Sequence, residues 1–215
     1  MKDHPILMNG EMVRAHMAGR KTQTRRPVKP QPPAGFNDPW QGHNGQWFVM
    51  DGRPGARLDS HPLRSPFGRP GDTLWVREMF AAFTGGSGEH GEYDEAEGPL
   101  CDERSYTFAY RADGTSRPAR WRPSIHMPRA ASRITLNVKR VWVERVQDIA
   151  EADAVAEGLV SALSHGEWRN PSLGRSGIWT ARNAFAVLWD YIYAKRCLGW
   201  DVNPWVWACE FEVAA

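Results

Sequence analysis

An α+β fold with strands in the majority, flanked by helices and interrupted by long loop insertions, is what the sequence predicts. Three observations carry that expectation. Trp205 to Val213 (WVWACEFEV) places Trp205, Trp207, Cys209, Phe211 and Val213 on one side of an extended chain, as a half-buried strand requires. Ile134 to Val146 (ITLNVKRVWVERV) is a second long run of strand character, rich in β-branched residues. Thr180 to Lys195, by contrast, repeats its large apolar residues at helical spacing: Phe185, Leu188, Trp189 and Ile192 fall at i, i+3, i+4 and i+7.

The totals set outer limits. With 215 residues, a hydrophobic fraction of 41% and 11 tryptophans, the chain can bury a real core as one domain over residues 1–215. No apolar run approaches the length of a membrane span, and MKDHPILMNGEM lacks the apolar stretch of a signal peptide. The expectation is a soluble, cytoplasmic protein with no membrane partner. Cys101, Cys197 and Cys209 are odd in number and far apart, without Cys/His ligand spacing. Neither a disulfide framework nor a metal site is indicated, and no motif asks for a cofactor.

The net charge of +2 conceals a segregation. Met12 to Asn37 holds six cations and no acid, and Gly114 to Val143 holds seven cations and no acid. Glu89, Glu92, Asp94, Glu95, Glu97, Asp102 and Glu103 crowd into a single acidic loop. If the basic windows meet in the fold, they form a surface that attracts phosphates; if not, they are solvated side chains.

In chain order, Asn9 is placed to cap a short helix from Glu11 to Ala18, and Gly19 to end it in a left-handed turn. Thr22 to Arg26 then reads as a short strand closed by Pro27. Nine of the 16 prolines fall between Pro27 and Pro70, so residues 28–69 are expected to be an irregular excursion, fastened by Trp40, Trp47 and Phe48. Thr73 to Phe80 (TLWVREMF) follows a Pro-Gly-Asp turn as a strand, with Leu74, Val76 and Glu78 opposite Trp75, Arg77 and Met79. Residues 84–105 form the acidic, glycine-rich insertion, and Tyr106 to Tyr110 resumes strand character. Trp121 to Arg129 is a stiff basic connector around Pro123 and Pro128, in which His126 has no ligand partner. The long strand is expected to set Ile134, Leu136, Val138, Arg140 and Trp142 on one face. Asp148 to Leu159 (DIAEADAVAEGL) reads as a helix with Ile149, Ala152, Val155, Ala156 and Leu159 as its apolar stripe and Gly158 at its end. Residues 161–179 are a further polar excursion.

The densest chemistry lies in Gly19-Arg20-Lys21-Thr22-Gln23-Thr24-Arg25-Arg26, with four cations and two threonine hydroxyls in eight residues. An amine held partly dry beside an alcohol can form a Lys/Thr nucleophile pair. The same residues suit a solvated basic strand edge or a phosphate contact, and spacing alone favours the solvated edge. Glu157 stands in the last turn of its helix, where an acid meets the negative end of the dipole; a locally unfavourable residue is a hint of function.

GRKTQTRR after a short helix, PGDTLWVRE on a strand, a long strand leading into DIAEADAVAEGL, and WVWACEFEV at the end, in that order, resemble the ASCH domain of the PUA-like superfamily. The chain is particularly similar to the branch encoded by phages and prophages, which implies the cytoplasm of a bacterial host. The likeness touches both termini and every predicted core element, and leaves the three insertions outside. It implies a small β-barrel with flanking helices and a cleft for RNA or modified nucleosides. Some bacterial members are amidohydrolases that deacetylate N4-acetylcytidine with a lysine, a threonine and a glutamate, and the matching positions here are Lys21, Thr24 and Glu157.

On that resemblance Thr24 attacks the acyl carbonyl, Lys21 takes its proton, and Glu157 orients the lysine or passes a proton to the leaving amine. Arg25 and Arg77 are expected to bind the base or the oxyanion, with Arg20, Arg26 and Arg129 as further contacts to substrate or nucleic acid. The alternative is a non-catalytic module that binds RNA or single-stranded DNA, with Lys21 on a phosphate and tryptophans stacking bases. Ribonuclease activity ranks below both, for want of a paired-histidine acid and base.

Overall fold

The computed structural model describes residues 1–43, 45–51, 60–84, 94–95, 100, 106–115, 118, 120–162, 167–170, 175–178 and 180–214. Its elements run β1 (Asp3–Leu7), α1 (Gly10–Met17), β2 (Gln23–Pro27), β3 (Phe36–Gln41), β4 (Trp47–Asp51), β5 (Ser60–Leu63), β6 (Thr73–Arg77), β7 (Phe80–Thr84), β8 (Asp94–Glu95) and β9 (Thr107–Tyr110). There follow β10 (Thr135–Arg145), α2 (Glu151–Ala156), β11 (Val160–Ala162), β12 (Glu167–Asn170), β13 (Arg175–Ile178), α3 (Ala181–Tyr193) and β14 (Trp205–Val213). The fold is α+β with strands in the majority. Among the described residues no helix is long and apolar enough to cross a membrane.

The central sheet has the order β1-β6-β10-β14-β2, with β1 parallel to β6 and every other pair antiparallel. Among the described residues it does not close. One face buries Leu74, Val76, Leu136, Val138, Val141, Val143, Trp207 and Phe211 together with Val13 of α1. The other carries α2 and α3, whose Ala154, Phe185, Leu188 and Trp189 pack around Val206. Burying these side chains contributes roughly 1.5–3 kcal/mol each, which makes the two layers the main source of stability.

Several elements follow from local chemistry. Asn9 accepts from the Met12 amide at 2.8 Å and Gly19 adopts φ +67°, so α1 begins and ends where its caps dictate. Thr180 accepts from the Asn183 amide at 3.1 Å and starts α3 in the same way. The faces of β10 depart from simple alternation. Register against β14 shifts between Val138 and Arg140, leaving Lys139 as an extra residue. Leu136, Val138, Val141 and Val143 therefore all reach the core, while Arg140 and Trp142 turn to the opposite side. Val213 is exposed, not inward, as β14 runs beyond the packed layers. On α2, Val155 is exposed and Ala154 takes the buried position.

The described residues of the excursion at 28–69 are more regular than expected: β3, β4 and β5 form an antiparallel sheet within it. Trp47 fastens it, edge-on to Trp207 with ring centres 6.4 Å apart, whereas Trp40 is half exposed and lies tilted against Phe48. Residues 161–179 likewise hold β11, β12 and β13 as a three-stranded sheet. The expected strand over residues 73–80 breaks after Arg77. The Phe80 amide donates to Arg122 instead, and β7 joins β8 and β9 in a separate sheet. Most of the acidic loop, and Cys101, lie outside the described residues.

His16 on α1 is buried, with Nε2 2.9 Å from the Met8 sulfur and its ring 5.1 Å from Phe211. Burial first, and the Lys21 charge second, lower its pKa from 6.5 to about 3. Between those values the unfolded chain takes up a proton that the folded imidazole refuses, so this residue makes stability fall as pH drops below 6.5. At pH 5 the loss is about 2 kcal/mol, from about 1.4 kcal/mol per pH unit. Urea midpoints at pH 7 and pH 5 test it: the decline is expected to be smaller in His16→Phe, and an equal decline in both proteins contradicts the assignment.

Candidate functional site

The C-terminal end of α2 meets the start of β2. After α1 the amides of Arg20 and Lys21 both donate to the Ala15 carbonyl, at 2.9 and 3.1 Å. The Thr22 amide donates to Ala156 at 2.9 Å, and the Thr22 carbonyl accepts from Phe211 at 2.9 Å. These bonds tie the chain leaving α1 to α2 on one side and to β14 on the other. Gly158 then turns the backbone away with φ +92°. A Cβ there would lie 2.9 Å from the Ala15 Cβ and 3.1 Å from the Lys21 Cβ, so only glycine allows this approach.

Lys21 is enclosed: its side chain has 0% exposure. Nζ donates to Glu157 Oε2 at 2.7 Å, to the Glu157 carbonyl at 3.0 Å and to the Gln23 carbonyl at 2.8 Å. All three ammonium protons are thereby placed. Burial lowers the Lys21 pKa, Glu157 opposes that, and the charges of Arg26 and Arg25 add to the lowering. The contact also resolves the oddity of an acid at a helix end, because the Lys21 ammonium answers both the carboxylate and the terminal carbonyl.

Arg25 lies beside this pair, its side chain also at 0% exposure. Nε donates to Glu144 at 2.6 Å, Nη1 to Gln23 Oε1 at 3.1 Å and to Glu157 Oε1 at 3.4 Å, and Nη2 to Asp153 at 3.3 Å. Glu157 is therefore shared, one oxygen on Lys21 and the other on Arg25. Asp153 and Glu157 reach the same guanidinium because residues four apart on a helical turn lie above one another. Trp142 donates from Nε1 to Glu144 Oε2 at 2.6 Å and stands between Arg25 and Arg140, 5.8 and 4.7 Å from its ring centre. The two basic windows meet at this tryptophan. The buried members of the first, Lys21 and Arg25, are matched by three carboxylates, Glu144, Asp153 and Glu157.

Thr24 pairs with Cys209 across the sheet and Arg25 with Ala208. Opposed residues of an antiparallel pair share a face, so the Thr24 hydroxyl points to the Cys209 side and the guanidinium to the other. Thr24 is fully buried, and its Oγ1 has no hydrogen-bond partner among the described residues. It makes no hydrogen bond to Lys21, although Lys21 holds the carbonyl of the residue immediately before it. Cys209 is no rival nucleophile: burial, then the Glu157 and Glu210 carboxylates, push its thiol up to about 12.

The other expected contacts are dispersed. Arg20 stays close, donating to the Gly158 carbonyl at 3.3 Å. Arg26 reaches the Leu7 carbonyl at 3.0 Å on a different side of β2. Arg77 and Arg129 flank Trp75, at 5.2 and 5.8 Å from its ring centre; Arg77 donates to the Ile125 carbonyl, and Arg129 donates to Asp3 at 2.6 Å. Gln23, Trp142, Glu144 and Asp153 belong to the site although nothing singles them out in the sequence. The i,i+4 spacing of Asp153 and Glu157 was the available signal; Glu144 and Trp142 required the bulge at Lys139. Among the described residues no group of three His, Cys, Asp or Glu side chains is placed to hold a metal ion. No family model, no curated protein and no solved structure matches the chain.

Proposed function

We propose that the chain is an amide hydrolase acting on a nucleoside or on RNA, removing the acyl group from N4-acetylcytidine or a similar modified base. The observation that carries this reading is a fully enclosed lysine of lowered pKa, paired with a carboxylate and bonded to the Gln23 carbonyl that precedes Thr24, whose buried hydroxyl has no partner among the described residues. Such a lysine yields its proton more readily than one in water and can then accept another from an alcohol. The PUA-like barrel of the resemblance belongs to the same proposal. In its support, β1 and β2 stand at opposite ends of the strand order, yet Arg26 spans them, so the sheet curls until its edges are one side chain apart.

In this mechanism the Thr24 oxygen bonds to the acyl carbon as its proton passes to neutral Lys21. The tetrahedral adduct collapses with cleavage of the bond to N4, and a proton returned from Lys21, with Glu157 as its partner, makes the departing cytidine neutral. Water then attacks the acyl-threonine ester, releasing acetate and restoring the hydroxyl. Arg25 keeps Glu157 turned toward Lys21 throughout. The test is incubation with N4-acetylcytidine followed by chromatography for cytidine. Turnover is expected, falling about 10²–10⁴-fold in Lys21→Met, the usual scale of a lost general base. Loss of turnover is also expected in Thr24→Val, which keeps the shape of the side chain. Turnover equal to wild type in either variant refutes the roles assigned here.

A non-catalytic phosphate site at Lys21 is the weaker reading. A phosphate would have to displace Glu157 from a lysine whose protons are all committed, and would enter a cluster with three carboxylates to two cations. Unmatched positive charge lies on another part of the molecule.

A further inference from the structure

The seam where the edge strands β1 and β2 approach each other is flanked by two hollows. One, of about 450 Å³, lies over Pro5, Leu7, Pro27 and Phe67; the other, of about 660 Å³, lies over Leu7, Asn9 and Tyr191. Leu7, Arg26 and Tyr193 line both, so they are adjoining halves of one groove. Its charge is one-sided. Arg26, Lys29, Arg64 and Arg196 line the first half, and Arg14 and Arg111 join Arg26 in the second. Against these six cations the lining includes one carboxylate, Glu11, which is already paired with Arg14. Lys29, Arg64 and Arg196 are exposed and have no carboxylate partner among the described residues.

Unpaired cations drawn together in a concave site raise the local concentration of anions, and a chain of evenly spaced anions gains most. A further β-strand is a poor occupant, because Pro5 and Pro27 deny the edges part of their backbone donors. Tyr191, 67% exposed on the rim, offers a ring face to a base. A duplex keeps its bases stacked on one another and cannot use that ring. We propose that this groove binds the phosphodiester backbone of a single-stranded nucleic acid, with Tyr191 stacking a base. The proposal is independent of the hydrolase reading, since it involves neither Lys21, Thr24 nor Glu157.

Fluorescence anisotropy with labelled ten-nucleotide oligouridine, oligodeoxythymidine and a ten-base-pair DNA duplex tests it across a salt series. The single strands are expected to bind more tightly than the duplex. For three to five neutralised phosphates, log K should fall with log salt at a slope of about −2 to −3.5. Comparison of the two single strands decides whether ribose or deoxyribose is preferred. Lys29→Glu with Arg64→Glu, both exposed, is expected to weaken binding at least tenfold, and Tyr191→Ala about fivefold or more. Lys2→Glu with Lys139→Glu, which changes net charge equally away from the groove, is expected to weaken it less than threefold. Equal losses in the two charge-reversed proteins, tighter binding of the duplex, or no binding at 50 mM salt overturns the proposal.

Discussion

Glu157→Ala is expected to destabilise the protein by about 3–5 kcal/mol, because it leaves the enclosed Lys21 ammonium without its carboxylate. The cost is that of an uncompensated charge in a dry site, not the intrinsic worth of the ion pair. Lys21→Met combined with Glu157→Leu should therefore recover most of the loss, since a buried pair replaced by apolar groups of similar size is often neutral. The sign of the pH dependence is fixed as well. The folded Lys21 pKa already lies below 10.5, and losing Glu157 removes the largest influence holding it up. Between the folded value and 10.5 the unfolded chain binds more protons, so the stability of Glu157→Ala should rise with pH in that range. Urea unfolding at pH 7 and pH 9.5 measures both effects. A single variant with the wild-type midpoint would show that the lysine finds another partner.

Arg25→Met is expected to cost a comparable amount, about 3–5 kcal/mol, for the complementary reason. Glu144, Asp153 and Glu157 converge on one guanidinium whose side chain is shielded from water, and methionine offers them no donor. Arg25→Lys should restore little. A single ammonium cannot reproduce donors spread over Nε, Nη1 and Nη2 toward three carboxylates and Gln23. Activity separates the two residues further. On the proposed hydrolase reading Arg25 touches Glu157 and not the substrate, so residual turnover of Arg25→Lys should keep an unchanged KM with a lowered kcat. An Arg25→Lys protein as stable as wild type would show that the forked geometry is dispensable.

Much of the fold was legible along the chain. Asn9 and Gly19 bound α1, Thr180 and an apolar stripe define α3, and the run from Trp205 to Phe211 marks a strand, each through interactions spanning a few residues. The insertions misled for an identifiable reason. Pro39 and Pro62 sit in β3 and β5, the outer strands of their sheet, where a missing donor costs nothing. Proline density there marks strand edges and not absence of structure. The bulge at Lys139 was hidden for a related reason: a strand read alone has no partner to reveal the extra residue. Without the bulge, Trp142 and Glu144 are assigned to the wrong side.

The sequence by itself determined the ends of α1 and α3, the course of β14 and most of the residues that seek the core, and that Lys21, Thr24 and Glu157 are the residue types a resemblance singles out. Only the tertiary structure decided that Lys21 and Glu157, 136 residues apart, form a hydrogen-bonded ion pair. It also decided that Arg25 takes the second oxygen of Glu157, and that the Thr24 side chain lies on the face of β2 opposite to Arg25. Propensity, capping and alternation act over one or two turns of chain. Burial of a charge depends instead on which distant segments cross, and the energy of Lys21 is set by what surrounds it once they have.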